Sequence, residues 1–76
     1  MLFRSTLAHL AQELLALAER VGEVTVIDYR DRLALGRNYV IEVLEYFDQI
    51  GFTQRRDNTR VVLDATTPEK RFGKPA

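Results

Sequence analysis

The side chains with most chemistry to offer in this chain are its arginines. Arg30, Arg32, Arg37, Arg55, Arg56 and Arg60 all fall in one stretch, with no lysine among them. A guanidinium group is planar, stays charged, grips phosphate through two parallel hydrogen bonds and stacks on bases. Asn38 and Tyr39 directly follow Arg37, and Asn58 lies between Arg56 and Arg60. An amide can read a base edge, and a tyrosine ring can stack on an unpaired base. Asp28, Asp31, Asp48, Asp57 and Asp64 could each pair with a neighbouring arginine. Those five aspartates cannot neutralise all six arginines on one face while also facing other ways.

Other chemistries find little support. His9 is the only histidine, it flanks the apolar stripe of the first helix, and the chain has no cysteine to accompany it. Disulfides and thiolate metal sites are therefore excluded. Glu42 and Glu45 are expected on the solvent side of a helix, where no cleft would shift their titration. Neither a GxxxxGK[ST] loop nor a GxGxxG turn is present, and the glycines fall at expected turns. The expectation is a binding module, not an enzyme, with no cofactor and no metal.

Seventy-six residues, 46% of them hydrophobic, suffice for one globular core. A chain of this size buries only about 60% of the surface it exposes when unfolded, which leaves little for a deep substrate cleft. Eleven basic and eleven acidic side chains give zero net charge, so the distribution of charge carries the information and its total does not. No apolar run approaches the roughly 20 residues needed to span a bilayer. The opening segment, with Glu13, Glu19 and Arg20, reads as an amphipathic helix and not as a signal peptide. A reducing cytoplasm suits the lack of cysteine.

The elements that must position the arginines follow from periodicity. Leu7, Leu10, Leu14, Leu17 and Ala18 form one helical stripe, with Ser5 or Thr6 as cap and Gly22 as stop. Residues 23–26 allow a single strand rung. Thr25, with Asp28 three positions on, can cap a second helix over Val26 to Leu35 that buries Val26, Tyr29 and Leu33 and ends at Gly36. A third helix from Arg37 to Ile50 buries Val40, Val43, Leu44, Phe47 and Ile50, and Gly51 closes it. Residues 52–56 and 60–63 read as strands joined by the turn Asp57-Asn58-Thr59. The fold class expected is α+β, a winged helix: a three-helix helix-turn-helix core with a C-terminal two-stranded wing. The domain should span residues 1–64. Residues 65–76, with two prolines and little apolar content, should be a flexible tail in which Lys70, Arg71 and Lys74 have no role.

This architecture brings the start of the third helix and the wing to one side. A helix start already favours an anion through its free N–H groups and its dipole. The exposed face of that helix, however, carries Glu42, Glu45 and Asp48, which would repel phosphates if it lay deep in a DNA major groove. A folded RNA hairpin with splayed loop bases, touched by the first turn and the wing alone, avoids that repulsion. Two alternatives share the fold. A DNA-binding transcriptional regulator would need dimerisation, and no long dimerisation helix is evident, so a monomer is expected. A protein-interaction winged helix would dock a basic partner on Glu42 and Glu45.

Residues 29 to 64 resemble the last winged-helix domain of the bacterial selenocysteine-specific elongation factors, the SelB family. The resemblance rests on Tyr29-Arg30-Asp31, Leu33 with Arg37, the run from Leu44 to Gly51, Thr53 with Arg55, and Arg60-Val61. It implies binding of the SECIS hairpin in selenoprotein mRNA, which tethers the factor for selenocysteine insertion at UGA. It also implies that GTP, selenocysteinyl-tRNA and the ribosome are engaged by other domains of a longer protein, of which this chain is a C-terminal piece. By position, Arg30, Arg37, Arg55 and Arg60 match the family's basic residues. Asn38 stands where that pattern carries a basic residue, and Asp57-Asn58 where it carries a glycine-bearing tip; Asp57 is expected to orient Arg56 or Arg60. The RNA-contacting set is thus Arg30, Arg37, Asn38, Tyr39, Arg55, Arg56, Asn58 and Arg60.

Overall fold

The computed structural model describes residues 4–73. Helix α1 (Arg4–Val21) turns Leu7, Leu10, Leu14 and Leu17 inward, with Ala8 and Ala11 packed between them. It is already helical at Arg4, so the expected start at Ser5 or Thr6 lies within the helix. Gly22, at φ +79°, ends the helix by donating its N–H to the Ala18 carbonyl at 2.8 Å. That left-handed conformation costs glycine little.

Strand β1 (Val24–Thr25) leads directly into helix α2 (Val26–Leu33), and Thr25 Oγ1 accepts the Asp28 N–H at 3.0 Å as the sequence predicts. Tyr29 is the anchor of α2. It is fully buried, and its hydroxyl donates to the Leu10 carbonyl across the α1–α2 contact. Burial pushes its ionisation well above the ordinary tyrosine range, so the group stays a neutral donor. The helix stops at Leu33, short of the expected Leu35. Ala34 takes the left-handed cap at φ +56° and returns its N–H to the Arg30 carbonyl. Gly36, expected to break α2, instead sits at the N-cap of the next helix.

Helix α3 (Arg37–Gln49) carries the densest part of the core: Val40, Val43, Leu44 and Phe47 are fully buried. Gly51, at φ +79°, follows its end. Strands β2 (Thr53–Arg56) and β3 (Thr59–Val62) form the wing, joined by Asp57 and Asn58 alone, since Thr59 already pairs with Arg56. Asp57 takes φ +52°, the position where a glycine would fit without strain. The wing has a third strand. β1 pairs antiparallel with β3 through Val24–Arg60 and Thr25–Thr59, giving the order β1-β3-β2. This pairing seats the hairpin on the helical body, which an isolated two-stranded wing could not do for itself.

The expected tail is corrected over half of its length. Residues 67–72 form helix α4 (Thr67–Phe72), which packs along α1. Phe72 is 7% exposed, and its ring lies 6.2 Å from Phe47 and 6.3 Å from Tyr46. Pro68 sits in the first turn, where a missing N–H costs nothing. The cause of the misreading is length: one aromatic anchor in a six-residue helix leaves no period to detect. Asp64 accepts both the N–H and the hydroxyl of Thr66 just before α4, and these bonds hold its carboxyl below the usual carboxylate range. The folded unit therefore continues past residue 64, and the last tail positions, 74–76, lie outside the described residues.

Candidate nucleic-acid interface

One open groove of about 460 Å³ runs between the start of α2, the outer side of α3 and the tip of the wing. Thr25, Val26 and Ile27 line one part, Arg37, Ile41 and Glu45 a second, and Arg55, Asp57, Asn58 and Arg60 the third. Of the residues singled out in the sequence, the fold thus gathers Arg37, Arg55, Asn58 and Arg60.

Arg37 stands exposed at the first position of α3. Gly36 ahead of it makes no side-chain capping bond, so the first backbone N–H groups of α3 have no partner of that kind. A guanidinium and an uncapped helix start at the same corner both favour an anion. Arg55 faces it from the wing. Its Nε donates to the backbone carbonyl of Asp57 at 3.1 Å, which folds the side chain over the turn and leaves its terminal nitrogens at the surface. Asp57 therefore orients Arg55 through its backbone, where the sequence reading had its acid orienting Arg56 or Arg60.

Arg60 differs from both. It is only 6% exposed, and its Nε donates to Asp48 Oδ2 at 3.1 Å. Asp48 Oδ1 in turn accepts the hydroxyl of Thr53. The expected free phosphate-binding arginine is thus an internal ion pair, and Asp48 is part of that pair and not of an open acidic face. The cause is register: Arg60 lies directly opposite Arg55 on adjacent strands. Like charges in that position repel, and an inward carboxylate relieves the repulsion.

The remaining candidates fall outside the groove. Arg30 and Asn38 are exposed on α2 and α3. Arg56 follows Arg55 on β2, and successive side chains point to opposite faces of a strand. Tyr39 is half-buried against the core, which withdraws part of the ring that stacking would need. Arg32 is held by Glu13 at 2.6 Å across α1 and α2, each side chain 29% exposed. Glu45, read as lying on a face with no cleft, forms part of the groove wall.

The apolar contribution escaped the sequence reading. Ile27 is 66% exposed and lines the groove together with Val26 and Ile41. The signal available was an isoleucine one position off the Val26–Tyr29–Leu33 stripe, where a solvated helix face ordinarily carries polar residues. The arrangement can take an anionic group at the arginines and an apolar or aromatic surface beside it. Among the described residues no group of three or more histidine, cysteine, aspartate or glutamate side chains could hold a metal. No helix there is long and apolar enough to cross a membrane.

Comparison with known proteins adds independent information. The model of the family described as "Elongation factor SelB, winged helix" matches residues 16–62. The selenocysteine-specific elongation factor of Escherichia coli is 49% identical over 55 residues, 71% of this chain and 9% of that protein. Its counterpart in Haemophilus influenzae is 37% identical over 59 residues, 78% of this chain and 10% of that protein. The chain therefore spans about a tenth of these curated relatives. Among solved structures, the mRNA-binding domain of E. coli elongation factor SelB in complex with SECIS RNA matches with a TM-score of 0.75 and 41% identity, over 78% of this chain and 49% of that one.

Proposed function

Because this chain belongs to the elongation factor SelB winged-helix family, we propose that it is an mRNA-binding module that grips a SECIS hairpin. The observation that carries this reading is the 41% identical structural relative, whose solved form is a complex with SECIS RNA. The groove supplies a physical means. Arg37 and Arg55 on its walls would hold phosphates, with Arg30 and Arg56 reaching the backbone at its margins. Asn58 in the groove, with Asn38 and the outer edge of Tyr39 beside it, would meet unpaired bases. Ile27 and Ile41 would cover an apolar base face.

In this reading the module acts without chemistry of its own and works as a monomer. It would tether a longer cytoplasmic factor to selenoprotein mRNA, while GTP, selenocysteinyl-tRNA and the ribosome are met by other domains. Association would be strongly electrostatic. About four phosphate contacts on loop-like RNA give a log–log dependence of affinity on salt of about −3. Titration of the purified chain with a SECIS hairpin and a scrambled-loop hairpin, at several salt concentrations, tests the proposal. A clear preference for SECIS with that salt slope supports it; equal affinity for both hairpins, or tighter binding of duplex DNA, contradicts it.

A further inference from the structure

The interior arginine of the wing performs a task that its sequence context hides. β3 is the central strand, flanked by β1 and β2, so its placement sets that of the whole sheet. Arg60 on β3 and Thr53 on β2 both reach the same carboxylate, one to each oxygen of Asp48. Asp48 lies on the last turn of α3, while Arg37 opens the same helix. Arg55, the arginine on the opposite wall, is the direct cross-strand neighbour of Arg60. One carboxylate thus ties both strands of the wing to the helix that carries the facing cation.

We infer that Arg60, Asp48 and Thr53 are positioning residues: they fix the wing against α3, and so set the span between Arg37 and Arg55 that matches a particular RNA shape. The chemistry favours this over direct contact. Thr53 is 2% exposed and uncharged, so it cannot touch a ligand. Arg60 has its charge offset by Asp48 and would have to break that pair to bind a phosphate. A buried ion pair is a weak source of net stability but an effective way to enforce one geometry, because a misplaced wing would leave a charge buried and unmatched. The inference rests on the hairpin-binding reading, and it concerns discrimination between RNAs more than total attraction to them.

The test uses Arg60→Met and Thr53→Val. Each is checked for folding by circular dichroism and then titrated with the SECIS and scrambled-loop hairpins across salt concentrations. Positioning predicts that SECIS affinity falls about tenfold in either variant, scrambled binding barely changes, and the salt slope stays as in wild type. Thr53→Val is the decisive arm, since it removes neither charge nor exposed surface. A purely architectural role would lower the melting temperature and leave the ratio of the two affinities intact, which overturns the inference. So would a slope reduced by about 0.7 in Arg60→Met alone, the mark of a lost phosphate contact. If the wild-type chain does not distinguish the hairpins, the hairpin reading itself fails and the inference falls with it. If wild type discriminates and both variants do so equally, only the positioning claim is lost.

Discussion

The two ends of α3 are built on opposite plans. At its C-terminal end Phe47 and Asp48 are matched within the protein. Phe47 packs edge-on against Phe52 at 5.1 Å and beside Phe72, and Asp48 is engaged by Arg60 and Thr53. At its N-terminal end Arg37 is exposed, Gly36 offers no capping side chain, and Ile27 stands open beside them. An exposed isoleucine beside donors that only water satisfies is the kind of corner that a partner would cover. Under the proposed function, stability and recognition are divided between the two ends of one helix.

Breaking the closed end should cost stability first. Phe72→Ala removes a buried ring from the Tyr46–Phe47–Phe72 cluster and should destabilise the domain by about 3 kcal/mol in a denaturant melt. Binding by the fraction that remains folded should be unaltered. A near-zero loss would mean that α4 is a loose tail after all. Breaking the open end should do the reverse. Arg37→Ala should weaken binding of the SECIS and scrambled-loop hairpins about equally and reduce the salt slope by about 0.7, while the melting curve stays within about 0.5 kcal/mol of wild type. A loss of ~1–3 kcal/mol confined to SECIS would instead place Arg37 on a base edge.

The junction between α2 and α3 permits a sharper and smaller test. Ala34 holds a left-handed conformation at φ +56°, which penalises any Cβ. Ala34→Gly should raise stability by about 0.5–1 kcal/mol without affecting RNA binding. The smallest effect belongs to Asp64. Thr66 holds its folded-state ionisation below the ordinary carboxylate value. The carboxylate's contribution is therefore fully present above that ordinary value, near pH 3.9, and is lost as pH falls through the lower folded one. Amide protons of α4 should keep constant exchange protection from neutral pH down to that point and lose protection below it. Asp64→Asn should remove the acid-dependent loss.

What could be read without coordinates depended on how far each feature reaches along the chain. The stripes of α1 and α3 repeat over several turns, and the Thr25–Asp28 cap is local, so both were legible. Six residues of α4 fall below the length at which a period can be recognised, and β1 was legible only as a single strand rung, without its pairing to β3. Nothing in the local sequence distinguishes Ala34 from a continuing helix, and its left-handed cap falls two residues before the Gly36 that the sequence offered as the stop. The candidate site was half visible for the same reason. Arg37 and Arg55 were found by residue type and element. The inward turn of Arg60 depends on Asp48, twelve positions away, and on a strand register that no local pattern prints. Ile27 was passed over because an isolated isoleucine on a helix surface ordinarily carries no message.

The central claim is that RNA completes the open corner of α3. Amide and arginine side-chain shift mapping by NMR, with a SECIS hairpin titrated into the labelled chain, addresses it most directly. The account predicts the largest shifts at Ile27, Arg37, Arg55 and Asn58, with Phe72, Lys70 and Arg71 on the α4 side unmoved. Shifts centred on α1 and α4, with the groove residues silent, would contradict it.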